Sequence, residues 1–266
     1  MRFDQTYGQV GADGFNSPVR SYAGISTYGW PYDTQAIVAT LSHLPRTTFE
    51  PPNTVAFQRF LSTGPIAFLP LSPTESSLVW STKPPLAHAL SKSDPTVLAS
   101  MINAAFRLPA VSMHYLHRII SEAQASGIPI TPTQIHDEIA WREKSHLIDG
   151  HSAYASASAL PNVGVPPADS EFLPPLVTSV HRGSVASFPL RFGHADSYIG
   201  EGAGSRTVLV GDAAHTVHPL AGQGLNMGLA DVELLTQCIQ ETVSCGGDVG
   251  TRLHFIYSPI VMLTVN

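Results

Sequence analysis

Cysteine and long apolar runs are both scarce in this sequence. Its 266 residues include two cysteines, Cys238 and Cys245, a usage that suits a reducing compartment and predicts free thiols. No stretch approaches the roughly 18 apolar residues that a membrane-spanning helix needs. The opening residues Met1 to Asp4 contain no signal peptide or amphipathic transit segment, so we expect any organelle address to lie on sequence outside this chain.

Charge is also sparse. Charged residues make up 13% of the chain, and the net charge is −6 without any Lys/Arg-rich block. Nothing in such a sequence neutralises a phosphate backbone, which argues against a nucleic-acid partner. The low charge content indicates that some surface is covered by a membrane, a partner or further chain. A hydrophobic content of 43% predicts a globular protein of one or two domains.

The spacing of apolar residues, Pro and Gly predicts a mixed α/β fold. Short extended runs separated by Pro, Gly and Ser predict an antiparallel meander. The runs are 36–42, 54–61, 66–71 and 77–81. Helical spacing then predicts two or three helices, with Asp94 and Thr131 as N-caps before Pro. Those segments are 94–107, 110–125 and 132–146, and the Ser/Ala/Pro-rich stretch 150–184 is predicted to be loop.

Two further strands are predicted near the C-terminal end, at 185–190 and 207–210. The second is fully apolar and suits a buried parallel position. A loop runs from it to about Gly222, and a helix is predicted over 223–243. Its core stripe is predicted to be Leu225, Leu229, Val232, Leu235 and Ile239.

The strongest chemical pattern runs from Val210 to Asn226, where a buried strand ends in Asp212 and glycines open a helix. A carboxylate at a strand's carboxyl end can accept hydrogen bonds from sugar-like hydroxyls. Gly222 and Gly224 permit close approach of a flat ligand, and the helix N-terminus offers partial positive charge to a reduced flavin. The structural alternative is an ordinary strand–loop–helix connection with a capping Asp.

A second pattern, Gly11 to Arg20, contains the Asp13-Gly14 turn and a short helix that Asn16 or Ser17 can cap. Together, the two patterns resemble the Asp-Gly motif and the second flavin motif of the FAD-dependent aromatic-ring hydroxylases. This resemblance implies FAD as cofactor and an incomplete Rossmann-like FAD domain beside an antiparallel-sheet substrate domain. The implied cofactor-binding residues are Asp13, Arg20, Gly211, Asp212, Pro219, Gly222, Gln223, Gly224, Leu225 and Asn226.

Residues 53–71 and 77–81 are similar to the coenzyme Q sub-group of that family, in which these strands line the substrate face. Arg59, Phe57 and Phe68 are therefore substrate candidates, against the alternatives of a solvent-exposed Arg and core aromatics. No catalytic residue is assigned. His215 and His218 lack a nearby third ligand, so no metal is expected.

The resemblance implies hydroxylation of a polyprenyl hydroxybenzoate with dioxygen, in ubiquinone biosynthesis. It also implies a ferredoxin and its reductase or NAD(P)H as electron source, the coenzyme Q biosynthetic complex as partner, and the matrix side of the mitochondrial inner membrane as location. The implied domains are 1–30 with 182–250 for FAD and 31–181 for substrate, followed by a divergent tail at 251–266.

A dinucleotide fingerprint Gly-x-Gly-x-x-Gly between strand and helix is absent from these 266 residues. The resemblance starts just before Gly11 and fades after about Leu235, so we expect truncation or an altered reading frame at both ends. The chain alone is then expected to hold no tightly bound FAD and to lack activity. The alternatives are an inactive fragment or binding module, and a related flavoprotein hydroxylase or halogenase with another aromatic substrate.

Overall fold

The computed structural model describes residues 8–45, 52–146, 173–219 and 222–248. The tail at 251–266 and most of the predicted loop at 150–184 lie outside the described residues. The chain divides into two compact units: the first consists of Met1–Tyr32 with Leu190–Asn266, and the second is Asp33–Pro189. Among the described residues, no helix has the length and apolar content that crossing a bilayer requires.

The described elements follow one another in a mixed order that confirms the predicted α/β class. They are β1 (Gln9–Gly11), α1 (Pro18–Tyr22), β2 (Thr27–His43), β3 (Phe57–Leu61), β4 (Gly64–Pro70), β5 (Glu75–Thr82), α2 (Pro84–Lys92), α3 (Pro95–Arg107), α4 (Ala110–Ser126), α5 (Pro132–Ser145), β6 (Val177–Val180), β7 (Ala186–Ala195), β8 (Thr207–Leu209), β9 (His215–Thr216) and α6 (Gln223–Ser244). The strands β2 and β7 each contain the point where the chain passes between units.

The second unit is an antiparallel sheet packed against four helices. β3, β4 and β5 form a meander, but β2 pairs with β5 and not with β3. The predicted antiparallel sheet is therefore confirmed, whereas the predicted order of its strands is wrong. β6 pairs with the other edge of β2. Gly64 follows the β3–β4 turn, where a Cβ would lie 2.1 Å from the Ser81 carbonyl oxygen, so this position requires glycine.

Helix starts in the second unit follow local sequence signals. Asp94 accepts a hydrogen bond from the Thr96 N–H at the start of α3, and Thr131 forms a capping box with Gln134 at the start of α5. Both predicted caps are confirmed. The sequence interpretation missed α2, which begins at Pro84 without any side-chain cap.

The first unit has its own small core, centred on β8 and one face of α6. β1 pairs parallel with β8, and β7 pairs antiparallel with β9. The core consists of Ala195, Tyr198, Ile199, Val208, Leu209, Val210, Ala213, Ala214, Leu235 and Cys238. Both cysteines are free thiols as predicted, Cys238 buried and Cys245 exposed.

Candidate flavin site

The two sequence motifs emerge side by side in the first unit. Gly11 at the end of β1 is in register with Leu209 at the end of β8, and the Val210 N–H donates to the Gly11 carbonyl at 3.0 Å. Because these strands are parallel, both motifs leave the same carboxyl edge. Ligands of open α/β sheets bind outside this edge. The pairing of β1 with β8 therefore brings two segments that are about two hundred residues apart in sequence to the same edge of the sheet.

Asp13 of the first motif is held by the start of α1. Its carboxylate accepts hydrogen bonds from the Ser17 hydroxyl and, at 3.0 Å, from the Val19 N–H. Burial alone would raise the pKa of Asp13, but these two bonds, its own backbone N–H and the charge of Arg20 lower it below the ordinary value. Ser17 caps the helix by accepting from the Arg20 N–H at 2.9 Å, as predicted.

Arg20 ties the first motif to the second. Its guanidinium donates to the Ala213 carbonyl at 2.7 Å and to the Phe15 carbonyl at 2.6 Å. Two N–H donors of one side chain therefore satisfy a carbonyl in each motif. In this structure Arg20 holds the two loops together, which is a positioning role that the sequence alone did not reveal.

The loop after β8 is anchored by Asp231, which the sequence interpretation missed. Asp231 lies on the buried face of α6 and accepts hydrogen bonds from the Gly211 N–H at 2.8 Å and from His215 Nε2 at 2.7 Å. Gly211 has a φ of 59°, a conformation that favours glycine. Between these anchors the Asp212 side chain is exposed to solvent. The signal that could have revealed Asp231 is its spacing four residues before the buried Leu235.

The start of α6 offers open space to a ligand. Its N-cap is Gly222, with a φ of 63°, and no side chain caps the helix. A Cβ at Gly222 or Gly224 would meet no atom within 4 Å. The two glycines therefore border open space. The first N–H groups of an α-helix have no partner within the helix, and such groups commonly bind anions. Pro219 is half-buried just before this turn, while Gln223, Leu225 and Asn226 are exposed.

Both motifs line a single cavity of about 480 Å³. Phe15, Asn16 and Arg20 come from the first motif, and Asp212, Ala214 and Thr216 come from the second. This volume lies within the usual range of roughly 300–1,000 Å³ for ligand sites. The Asp212 carboxylate in this cavity suits the hydroxyl groups of a flavin side chain, whereas Asp13 and Gly222 to Asn226 are not among the described residues that line it.

The predicted core stripe of α6 is wrong for four of its five residues. Leu225, Leu229, Val232 and Ile239 are exposed, with 74% exposure at Leu225, and only Leu235 is buried. The helix turns a different face to the first unit's core, formed by Asp231, Leu235, Cys238 and Thr242. The apolar spacing identified a helix correctly but could not show which of two apolar faces the described core covers.

The three substrate candidates lie in the second unit. Phe68 has 0% exposure and packs edge-on to Phe106, so its ring fills the core and presents no surface to a ligand. Phe57 is partly buried against the same core. Arg59 donates to the Ala105 carbonyl at 2.8 Å, near the C-terminal end of α3, where cations are favourable. It is neither solvent-exposed nor unpaired. The neighbouring Phe60, which strand alternation places on the opposite face from Arg59, is exposed.

Comparison with known proteins agrees with this geometry. Residues 187–257 match the family described as FAD binding domain. Among solved structures, PqsL, a probable FAD-dependent monooxygenase from Pseudomonas aeruginosa, aligns with a TM-score of 0.52 at 17% identity, covering 96% of this chain and 52% of that one. PqsL in complex with 2-aminobenzoylacetate gives the same TM-score at 18% identity, over 96% of this chain and 52% of that one. The chain therefore shares its fold with this probable FAD-dependent monooxygenase.

At the level of sequence, the chain is a relative of the proteins named "Ubiquinone biosynthesis monooxygenase COQ6, mitochondrial". The identity is 39% to the Schizosaccharomyces pombe protein over 91% of this chain, and 37% to the Homo sapiens protein over 94%. The Saccharomyces cerevisiae protein is 36% identical over 92% of the chain. The resemblance to the coenzyme Q sub-group is confirmed, and FAD is the cofactor that these similarities indicate. The chain spans less than half the length of these relatives, from 43% to 46%.

Proposed function

We propose that this chain carries the flavin site of an FAD-dependent monooxygenase that hydroxylates the aromatic ring of a polyprenyl hydroxybenzoate in ubiquinone biosynthesis. The observation that supports this most is the pairing of β1 with β8, which brings the Asp13 and Asp212 motifs to one cavity. Sequence similarity to proteins named ubiquinone biosynthesis monooxygenases supports a monooxygenase reaction in that pathway, and the hydroxybenzoate ring is the substrate that we propose for it. Bound FAD, once reduced, would supply the activation of dioxygen.

The residues of this chain have distinct roles in the proposal. Asp212 accepts hydrogen bonds from the hydroxyl groups of the flavin side chain, because its carboxylate is exposed and points from a loop fixed by Asp231. The backbone at Gly222 to Asn226 offers N–H groups to the negative edge of the reduced ring. Arg20 holds both loops at the distance that one ligand requires. Gly211 and Pro219 fix the direction of the chain before and after the loop that carries Asp212.

The proposal also gives each of the two units its own role. The first unit binds FAD, and the second unit, with its antiparallel sheet, belongs to the substrate side. Arg59 and Phe57 remain candidates for that side, although both contact the core of their own unit. We further propose a mitochondrial location on the matrix side of the inner membrane, since the relatives carry mitochondrial names. The proposed electron source is a ferredoxin couple or NAD(P)H, within a coenzyme Q biosynthetic complex.

Flavin binding is the direct test. Purified chain is titrated into FAD, and the quenching of flavin fluorescence gives the affinity of the wild type and of Asp212→Ala. Loss of a charged hydrogen-bond acceptor costs about 1.5–3 kcal/mol, so we expect the affinity to fall at least tenfold. Glu201→Ala, which removes another exposed carboxylate from the same unit, is the matched control and should bind as the wild type does. Weak binding by the wild type is expected, because these 266 residues contain no Gly-x-Gly-x-x-Gly fingerprint. Equal affinities for wild type and Asp212→Ala, or no wild-type binding even at the highest FAD concentration, would refute the proposal.

A further inference from the structure

The second unit contains an open groove between α4 and α5, which we call the α4–α5 groove. The two helices follow each other along the chain, but α4 packs chiefly against α2, and α5 packs chiefly against α3. Helices in direct contact lie about 8–10 Å apart and interdigitate their side chains. Between α4 and α5 there is instead a cavity of about 980 Å³. The facing sides of these two helices therefore leave room for a further element.

The walls of the α4–α5 groove are largely apolar. Ile119 and Ala123 line it from α4, and Ile130 lines it from the connecting loop. Two large apolar side chains at the groove are open to solvent among the described residues: Ile128 is 73% exposed and Trp141 is 64% exposed. An exposed tryptophan beside an exposed aliphatic side chain is typical of a protein–protein contact, because buried tryptophans contribute much of the binding energy at such contacts.

The turn that joins the two helices is fixed by its own backbone. Gly127 ends α4 with a φ of 72°, and the Ile128 N–H donates to the Ala123 carbonyl at 3.1 Å. Four residues after Gly127, Thr131 starts α5 with its capping box. The exposed Ile128 is therefore held between two stable helix ends. A wall that is already ordered costs a partner little conformational entropy on binding.

The charges of the groove are unevenly matched. Arg142 lies over the Tyr115 ring, 3.8 Å from its centroid, and its charge is paired with Glu138 one turn earlier on α5. Asp137 also lines the groove, and its side chain is 74% exposed. The His136 ring lies 3.5 Å from it, but no Lys or Arg of the described residues pairs with it. The groove therefore combines apolar walls with a carboxylate that no basic side chain neutralises.

We infer that the α4–α5 groove binds an amphipathic α-helix of a partner protein, with apolar side chains against Ile128 and Trp141 and a Lys or Arg beside Asp137. A helix that lies in a groove presents anchors about one turn apart, which suits a channel walled by two helices. The basic residue follows from charge complementarity with Asp137. An anionic membrane surface would instead bring like charge to this carboxylate. All these residues belong to the second unit, so the inference does not depend on flavin binding.

Fluorescence anisotropy with two labelled model peptides tests the groove. Both peptides are amphipathic helices of three heptads with leucine at a and d; one has lysine at e and g, and the other has glutamate there. We expect the lysine peptide to bind about tenfold more tightly. Trp141→Ala should weaken its binding about tenfold, because this change removes a large apolar anchor. Phe60→Ala, which removes another exposed aromatic ring of the second unit outside the groove, is the matched control and should bind as the wild type does.

Two charge variants distinguish a docked cation from general attraction to a chain of net charge −6. Asp137→Asn should reduce the ratio of the two peptide affinities by about threefold, as expected for an exposed ion pair. Glu122→Gln, which removes an exposed carboxylate of α4 outside the groove, should leave this ratio unchanged. Circular dichroism of each variant should match the wild type, because the substituted side chains are exposed.

Several results would overturn the inference. They are the absence of binding by the lysine peptide, unchanged binding by Trp141→Ala, and equal effects of Asp137→Asn and Glu122→Gln on the affinity ratio. Sedimentation of the chain alone provides another: a dimer that Trp141→Ala dissociates would assign the groove to a second copy of the chain. Displacement of the lysine peptide by vesicles of anionic phospholipid, lost in Trp141→Ala, would assign the groove to a lipid surface.

Discussion

Asp231 accepts a hydrogen bond from Nε2 of His215 at 2.7 Å, and both side chains are buried. The same carboxylate oxygen accepts the Gly211 N–H at 2.8 Å. A single buried oxygen on α6 therefore holds both ends of the loop that carries Asp212. Because buried polar groups are costly when unpaired, the loop can leave this position only by breaking two bonds at once.

Asp231→Ala should destabilise the chain and loosen the Asp212 loop. The substitution leaves the His215 ring N–H and the Gly211 N–H buried without their acceptor, which costs about 1–3 kcal/mol for each unsatisfied group. Urea unfolding followed by circular dichroism measures it. Glu233→Ala, two residues along on the exposed side of α6, should change the free energy of unfolding by less than about 0.5 kcal/mol. Equal effects of the two substitutions would contradict the anchoring role.

The two faces of α6 should respond differently to the same change. Leu235→Ala removes a buried side chain from the first unit's core and should lower the free energy of unfolding by about 2–5 kcal/mol. Leu229→Ala on the exposed face, where the side chain is 59% exposed, should cost less than about 0.5 kcal/mol. Chemical unfolding of both variants checks this. A larger loss of unfolding free energy for Leu229→Ala than for Leu235→Ala would support the core stripe that was predicted from the sequence.

Acid should destabilise the second unit through His117. Burial against Trp80, and secondarily the charge of His114, lowers the pKa of His117 from 6.5 to about 4. The unfolded chain therefore binds the proton first, so stability is complete above pH 6.5 and declines as pH falls towards 4. The loss is roughly 2 kcal/mol at pH 5. His117→Leu should lose this part of the pH dependence when urea unfolding is compared at pH 7.5 and 5.0. An unchanged pH dependence would show that His117 is protonated in the folded chain.

A buried ion pair joins α3 to α5 in the second unit. Arg107 Nε lies 3.5 Å from Glu143 Oε1, and both side chains are almost fully buried. Glu143→Ala leaves a buried charge without its partner and should cost about 3–5 kcal/mol, whereas the double variant Arg107→Met/Glu143→Leu should recover most of this loss. Thermal or urea unfolding of the three proteins measures the difference. If the double variant is as unstable as Glu143→Ala, the penalty is one of packing and not of charge.

Local sequence signals predicted much of the fold. Pro after Asp94 and after Thr131 located two helix starts, and alternation located the strands of the sheet. The pairing of β2 with β5 could not be predicted in this way, because alternation shows which face a residue takes and not which strand lies beside it. The spacing of Asp231, four residues before Leu235, indicates that both share the buried face of α6, but only the folded loop shows what its carboxylate binds. The two flavin motifs were visible because glycines and a carboxylate carry chemistry in short local patterns.

The most direct measurement of the central claim is a two-dimensional amide NMR titration of the isotope-labelled chain with FAD. If one flavin site is formed by both motifs, resonances of residues 11–20 and of residues 210–226 should shift together, with the same apparent affinity. Resonances of α3 and α5 in the second unit, which contain no motif residue, should stay in place. Shifts confined to one of the two motifs, or centred on β3 and β4, would contradict the account.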